Sequence, residues 1–200
     1  MRILVACESS GVVRRAFRLR GHDAWSCDIL PAEDDSPFHF QADAESILNL
    51  GWDLLIAHPP CTYLCNSGVR WLTTIPKTPK KGVVYGPARR VEMEKAADLF
   101  RAFWQAPIEK VCIENPVMHC YGRELVGATY AQTIQPWQFG HGEVKRTCLW
   151  LRGLSKLQPT DIVEGRAPKV HYASPGPDRW RVRSRTYEGI AAAMAEQWGG

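Results

Sequence analysis

Short apolar segments that each end in a cluster of polar residues recur along the chain, and they constrain the fold more than any other feature. The first, Arg2–Ala6, is followed by the turn 8–11 and by a helical pattern over Val12–Leu19. The segment Trp52–Ala57 is apolar except for Asp53, which is typical of a strand buried on both faces of a parallel sheet. Strands that alternate with helices predict a mostly parallel α/β sheet with right-handed crossovers.

The same pattern places the remaining elements. Strands are expected at residues 2–6, 23–27, 38–41, 52–57, 110–113, 132–137 and 147–151. Helices are expected at residues 12–19, 88–103 and 186–198. Residues 61–88 lack periodicity and are expected to form a long ordered loop that carries catalytic groups. A chain of 200 residues is expected to be a single domain spanning 1–200.

Composition excludes several classes of protein. The chain is 45% hydrophobic and 23% charged, which excludes disordered, collagen-like and coiled-coil chains. No apolar run approaches the roughly 20 residues of a membrane span, and no signal peptide is recognisable, so a cytoplasmic protein without membrane contact is expected. Seven scattered cysteines predict free thiols. Zinc binding by Cys61, Cys65, Cys112 and His119 is disfavoured because paired C-x-x-C spacing is absent, and no metal is expected.

Positive charge is concentrated in two stretches. Residues 61–90 contain six basic side chains and no acidic one, and residues 141–185 contain ten basic and four acidic side chains. Aromatic residues such as Trp71 and Trp180 lie among these bases. Each stretch alone is compatible with a solvated surface, but the two together favour a polyanionic partner, namely nucleic acid, whose phosphates bind Lys and Arg.

Acidic residues follow two adjacent predicted strands. Asp28 comes directly after the second strand, and Asp43 follows the third. At the carboxyl edge of a parallel sheet, the first can accept hydrogen bonds from both hydroxyls of a ribose and the second from an adenine amino group. A helix cap or turn is the alternative role for Asp28 by itself. The pair predicts a cofactor that contains adenosine.

The segment Pro59-Pro60-Cys61 ends the fourth strand and places a thiol at the same edge. Two prolines restrict the backbone ahead of Cys61, and the basic loop behind it favours the thiolate, which is the nucleophilic form. Glu114 follows the fifth strand, where burial that raised its pKa would let the carboxyl group carry a proton. Most single cysteines are structural, and an acid at this place can simply begin a helix. Together, the two residues are candidates for a nucleophile and an acid.

These motifs resemble, in their order and residue types, those of the DNA (cytosine-5) methyltransferases, particularly the small phage-like members of that family. Pro60-Cys61 matches the family's nucleophile motif, and Glu114-Asn115 matches its Glu-Asn-Val motif with Pro116 in place of valine. Residues 145–147 approximate its late arginine motif, and residues 183–195 resemble its last motif, a turn that opens a helix beside the cofactor. The resemblance covers most of the chain.

The resemblance implies a Rossmann-like methyltransferase fold, with a mostly parallel, doubly wound sheet and an antiparallel strand near the C-terminus. It implies S-adenosylmethionine as the cofactor and three catalytic residues: Cys61 as the nucleophile, Glu114 at ring nitrogen 3 of cytosine and Arg146 at its exocyclic oxygen. The residues implied to bind the cofactor are Cys7, Glu8, Ser9, Gly11, Asp28, Ile29, Asp43, Pro59 and Thr186. Those implied to bind nucleic acid, as the DNA partner, are Arg70, Lys80, Lys81, Lys145, Arg183 and Arg185.

Besides Pro116, the chain departs from the family's pattern in its late arginine motif, where Arg146 is the better match and Lys145 the weaker one, and in two further places. Its first turn is poorer in glycine and carries Cys7 where the family has phenylalanine. Only residues 152–183 are available as a reduced recognition segment, which is shorter than a full target-recognition region. We therefore expect relaxed or short sequence specificity, unless a homo-oligomer or a separate recognition subunit supplies more.

Three alternatives to this function stay open. The same chemistry can act on RNA or on a free pyrimidine nucleotide. A non-catalytic relative can bind nucleic acid, although such a binder needs neither Cys61 nor Glu114. An oxidoreductase of the Rossmann class is the weakest alternative, because no G-x-G-x-x-G sequence follows the first strand.

Overall fold

The computed structural model describes residues 1–172, 174, 176 and 179–200, and a seven-stranded sheet forms the centre of this part of the chain. The strands are β1 (Arg2–Ala6), β2 (Asp23–Asp28), β3 (His39–Gln41), β4 (Leu54–Ala57), β5 (Lys110–Asn115), β6 (Gln132–Ile134) and β7 (Thr147–Arg152). Their order is β3-β2-β1-β4-β5-β7-β6, and β7 runs antiparallel to both of its neighbours. The expected mostly parallel sheet with an antiparallel strand near the C-terminus is confirmed.

Helices cover both faces of the sheet, as a doubly wound fold requires. They are α1 (Val12–Leu19), α2 (Gly86–Gln105), α3 (Cys120–Val126), α4 (Arg179–Ser184) and α5 (Glu188–Trp198). Helices α1 and α5 pack against each other on one face, and α2 packs with α3 on the other. No helix in the described part of the chain combines the length and the apolarity needed to cross a membrane.

Alternating side chains of the central strands explain why both faces are covered. In β1, Ile3 and Val5 pack with residues of α1 and α5, whereas Leu4 and Ala6 pack with residues of α2. All four side chains are fully buried. Strands of this kind read as continuous apolar runs in the sequence, which is why the sequence predicts them well.

Several elements differ from the expected ones at their ends. β5 continues to Asn115, two residues beyond the expected end, because its last residues pair with β7. β6 stops at Ile134, since Pro136 cannot donate to a strand and begins a short 3₁₀ helix. The expected loop 61–88 contains a second 3₁₀ helix and the first residues of α2, which begins at Gly86.

Helices α3 and α4 have no counterpart among the expected elements. They have seven and six residues, which is too short for an apolar repeat to be visible in the sequence. Helix α4 begins inside the expected recognition segment 152–183. Four residues of that segment, at positions 173, 175, 177 and 178, lie outside the described residues.

The contact between α2 and β7 generates a prediction for stability. Phe100 is fully buried and meets Trp150 edge to face, with 5.1 Å between the ring centroids. Phe100→Ala removes this packing and leaves a cavity, so we expect the free energy of unfolding to fall by about 3 to 5 kcal/mol in urea titrations. The control is Leu19→Ala, because Leu19 is 88% exposed and its loss should cost less than about 0.5 kcal/mol. Equal effects in the two variants would contradict the packing role.

Candidate active site

A buried carboxylate builds the turn that follows β1. Glu8 accepts hydrogen bonds from the backbone nitrogens of Val13 (2.7 Å) and Arg14 (3.3 Å) at the start of α1. Gly11 has a φ of 65°, and a β-carbon there would collide with the Arg14 guanidinium. Cys7 has a φ of 58°, a conformation that costs a non-glycine residue energy. Glu8 therefore acts on the turn itself, at the edge where the sequence predicts a cofactor.

Asp28 and Asp43 lie at the same edge, close to this turn. Each accepts a hydrogen bond of 3.0 Å from the backbone nitrogen two residues later. Burial, together with the charges of both carboxylates, raises the pKa of the Cys7 thiol, so the three groups are neighbours in space. Ile29, which follows Asp28, is 74% exposed. Two carboxylates beside an exposed apolar side chain fit the ribose and the adenine of an adenosine-containing cofactor.

The loop after β2 is tied to the turn after β1 and to α4. The backbone nitrogen of Glu33 donates to the carbonyl oxygen of Ser9 at 2.9 Å, and the Ser9 hydroxyl donates to the Glu33 carboxylate at 3.4 Å. Glu33 also forms ion pairs with Arg181 (4.0 Å) and Arg185. Arg183 and Arg185 are both exposed, and Arg185 is held near the turn after β1 by its ion pair with Glu33.

A buried imidazole and a buried carboxylate meet where β4 and β5 end. Nδ1 of His58 lies 3.1 Å from Oε2 of Glu114, and the hydroxyl of Thr186 donates to the same oxygen at 3.4 Å. Burial alone would raise the pKa of Glu114, but the hydrogen bond from His58 and the positive charges of His58 and Lys145 lower it below its usual value. This shift favours the ionised form of Glu114, and the condition that the sequence analysis sets for a protonated carboxyl group, a pKa raised by burial, is not met.

His58 is a member of the site that the sequence motifs do not reveal. Burial by itself would lower the pKa of His58, but the carboxylates of Glu114 and Glu8 raise it above its usual value. The side chains of His58 and Glu114 are only 13% and 10% exposed, so the ion pair is largely removed from water. The one available signal is positional, because His58 is a polar residue directly after an apolar strand.

Strand β5 fixes the peptide that precedes Cys61. Nδ2 of Asn115 donates to the carbonyl oxygen of Pro59 at 2.9 Å, and both residues are buried. Pro60 follows directly and restricts the backbone further. The ends of β4 and β5 therefore hold Cys61 and Glu114 in a fixed relation to each other.

Cys61 and Cys65 form a pair of interacting thiols. The backbone nitrogen of Cys65 donates to the carbonyl oxygen of Cys61 at 3.0 Å, so one turn of chain brings the second thiol beside the first. Sγ of Cys65 also lies 3.0 Å from Oγ of Ser67. The hydrogen bond to Cys65, together with burial, raises the pKa of Cys61. The hydrogen bonds from Cys61 and Ser67 lower the pKa of Cys65 despite its burial, so the pair favours a thiolate on Cys65 beside a protonated Cys61. The sequence analysis expects the thiolate on Cys61 instead.

Lys145 and Arg146 have different surroundings. The charge of Lys145 lowers the pKa of both Glu114 and Cys61, and its Nζ lies 3.5 Å from the carbonyl oxygen of Arg185. Arg146 is exposed, and its charge acts on the thiol of Cys148 in β7. The structure therefore brings Lys145 to the site cluster, and the catalytic role of Arg146 stays a prediction.

A buried arginine orders the long loop 61–88. Arg89 is only 4% exposed, although its charge groups it with the surface bases of that stretch. Its guanidinium donates to the carbonyl oxygens of Thr62 (2.8 Å) and Val84 (3.2 Å), which lie near the two ends of the loop. The loop bases expected to contact nucleic acid are exposed, namely Arg70, Lys80 and Lys81.

The fold is similar to solved structures of methyltransferases. One is a protein assigned as a DNA modification methyltransferase encoded within an E. coli prophage, with a TM-score of 0.51 and 14% identity over 86% of this chain. Another is the methyltransferase EhMeth of Entamoeba histolytica, with a TM-score of 0.51 and 12% identity over 87% of this chain. This chain spans 55% and 60% of their respective lengths. No family model and no curated protein matches the chain, so the likeness establishes the fold alone, a Rossmann-like α/β fold that these methyltransferases share.

The thiol pair generates a prediction about ionisation. In a pH titration followed by thiolate absorbance, we expect the protein to form one thiolate well below the usual cysteine pKa, because the second thiol stabilises it. Cys65→Ser removes the sulfur with the lowered pKa, so this early step should disappear. Cys120→Ser is the matched control, since Cys120 is exposed on α3. An early step that persists in Cys65→Ser would contradict the pairing.

Proposed function

We propose that the chain is an S-adenosylmethionine-dependent methyltransferase that methylates carbon 5 of cytosine in DNA through a covalent adduct with Cys61. The observation that carries the proposal is the meeting of Cys61, Glu114 and Lys145 at the sheet edge that also bears Asp28 and Asp43. The methyltransferase fold supports it, and one structural neighbour is assigned as a DNA modification enzyme.

Residues at the ends of β1, β2 and β3 fit the cofactor. Asp28 offers acceptors to the ribose hydroxyls, Asp43 to the adenine amino group, and Ile29 an apolar surface to the adenine ring. The strained turn at Cys7 and the hydroxyl of Ser9 lie at the same edge. When bound, S-adenosylmethionine supplies an electrophilic methyl group.

Three residues divide the proposed chemistry on the base. Cys61 passes its proton to the Cys65 thiolate beside it, and its sulfur adds to carbon 6 of cytosine, which makes carbon 5 nucleophilic. Glu114 bonds to ring nitrogen 3, where charge develops during the addition. The charge of Lys145 acts on both Cys61 and Glu114, and we propose Lys145 for the exocyclic oxygen beside the sequence candidate Arg146. After methylation, a base removes the proton from carbon 5, and Cys61 leaves with the electron pair of its bond to carbon 6.

The exposed bases of the loop fit a phosphate backbone. Contacts of Lys and Arg with phosphates give affinity without sequence information, whereas base reading needs a folded element that enters a groove. Helix α4 has six residues, none of them buried, and offers little surface for such reading. We therefore propose short or relaxed sequence specificity, with RNA and free nucleotides as alternative substrates.

The test is the transfer of labelled methyl groups from S-adenosylmethionine to duplex DNA, single-stranded DNA, RNA and dCMP in parallel. We expect 5-methylcytosine in DNA, and a covalent adduct with DNA that contains 5-fluorocytosine. Cys61→Ser should abolish both while leaving cofactor binding nearly unchanged, and Cys120→Ser should preserve both. Methylation of RNA or dCMP alone would replace DNA as the proposed substrate. Turnover that survives in Cys61→Ser would reject the mechanism.

The cofactor assignment generates a separate prediction. Asp28→Ala removes an acceptor for the ribose, so we expect the binding of S-adenosylhomocysteine to weaken by about 1.5 to 3 kcal/mol in calorimetry. Asp98→Ala is the control, because Asp98 lies on the exposed side of α2 and pairs with Arg101. Equal affinity in the two variants would place the ribose elsewhere.

A further inference from the structure

The position of His58 beside Glu114 follows from the register of the parallel strands. Ala57, the last residue of β4, is paired with Ile113 of β5, so the residues that follow them are neighbours across the sheet. The backbone nitrogen of His58 continues the ladder by donating to the carbonyl oxygen of Ala6 at 3.0 Å. The contact of 3.1 Å between Nδ1 and the Glu114 carboxylate is therefore set by the backbone.

The second ring nitrogen of His58 is buried without a partner. Among the described residues, Nε2 makes no hydrogen bond, although it is inaccessible to solvent. Buried polar atoms are nearly always satisfied in folded proteins, and those that are not mark strained or functional positions. An imidazole needed only to pack would be more stable with both nitrogens bonded, so the arrangement points to a role for its charge or its proton.

The charged groups around His58 come from three elements. Glu114 on β5 is in contact with it, the charge of Glu8 in the turn after β1 also acts on it, and Lys145 precedes β7. Burial and Lys145 lower the pKa of the imidazole, but Glu114 and Glu8 raise it above its usual value, while burial raises the pKa of Glu8 itself. Lys145 and the imidazolium lower the pKa of Glu114, so the contact favours the form in which the imidazole carries the proton of the pair.

This distribution poses a difficulty for the proposed reaction. Addition of a thiolate to cytosine is helped by a proton at ring nitrogen 3, but an ionised Glu114 has none to give. We propose that His58 is a positioning residue that stores this proton and passes it through Glu114 to the cytosine ring as Cys61 adds. The inference rests on the function proposed above.

The step balances without any further reactant. The sulfur lone pair of Cys61 forms the S–C6 bond, the C5–C6 π pair becomes the C4–C5 π bond, and the C4–N3 π pair takes a proton from Glu114. Glu114 in turn receives the proton of His58 Nδ1, so the net transfer is from imidazolium to nitrogen 3. After methyl transfer, a base takes the proton of carbon 5, the C5–H pair becomes the C5–C6 π bond, and Cys61 leaves with the S–C6 pair. The proton on nitrogen 3 then returns through Glu114 to His58 and restores the imidazolium.

His58→Gln tests the proposal, because glutamine can still donate a hydrogen bond to Glu114 but stores no proton. The measured quantity is the ratio of wild-type to variant rate of methyl transfer at a series of pH values, which cancels the shared ionisation of Cys61. At acidic pH the carboxyl group of the variant can be protonated directly, and the ratio should be small. We expect the ratio to rise at least about tenfold between about pH 5.5 and pH 7.5, because only the wild type still holds the proton there.

A second histidine, distant from the site in the sequence, serves as the control. His22→Gln, at a histidine near the N-terminus that contacts Phe17, should give a ratio near one at every pH. A ratio for His58→Gln that is large but independent of pH would mean that the side chain only shapes the site, and it would overturn the proposal. Absence of methyl transfer by the wild type would reject the proposed function and the delivery step with it.

A second measurement determines the protonation of the His58–Glu114 pair without turnover and without a His58 variant. Nitrogen NMR of the ¹⁵N-histidine-labelled protein, free of substrate, should show both nitrogens of His58 protonated at neutral pH. Glu114→Gln should convert that ring to the neutral form at the same pH, because the main stabilising charge is gone. A neutral His58 in the wild type would overturn the proposal even if methyl transfer is observed.

Discussion

Parallel hydrogen bonding between β1, β4 and β5 is the constraint on which the site depends. In this register Ala6 pairs with Ala57, and Ala57 pairs with Ile113. The residues that follow these three, Cys7, His58 and Glu114, therefore lie together at one edge of the sheet. They contribute a strained turn, an imidazole and a carboxylate, respectively. Strands buried on both faces cannot slip without exposing apolar side chains, so the core that stabilises the fold also fixes the chemistry.

Much of this arrangement is predictable, because apolar runs and the polar residues that end them are local signals. The edge and the positions of Asp28, Asp43, Cys61 and Glu114 at strand ends follow from such signals. The role of His58 cannot be predicted in this way, because its partner Glu114 is distant in sequence. A polar residue before proline also predicts only a turn. Lys145 and Arg146 are adjacent, and only the orientation of the chain before β7 distinguishes them. Arg89 shows that charge counting cannot tell a buried guanidinium from a solvated one.

Charges buried at this edge are costly for the fold. An ion pair such as His58–Glu114 loses hydration that its mutual attraction repays only in part, and hydrophobic residues of similar size often stabilise a protein more. The turn at Cys7 adds backbone strain nearby. The sheet is otherwise apolar and well packed, so the energetic costs of buried charge and backbone strain are concentrated at this one edge. Such a concentration is typical of a surface adapted for binding or reaction.

The antiparallel direction of β7 has a consequence for how far the chain can reach. Its first residue, Thr147, lies at the edge that bears His58 and Glu114, so its last residue, Arg152, lies at the opposite edge, about 17 Å away for a six-residue strand. The chain must return along the sheet before α4 reaches the first edge again, and Leu157 is buried in the core between them. Part of the segment 152–183 therefore only connects the two edges. Residues inserted beyond that part would enlarge the first edge directly, so the length of this segment, more than its composition, limits the surface available there.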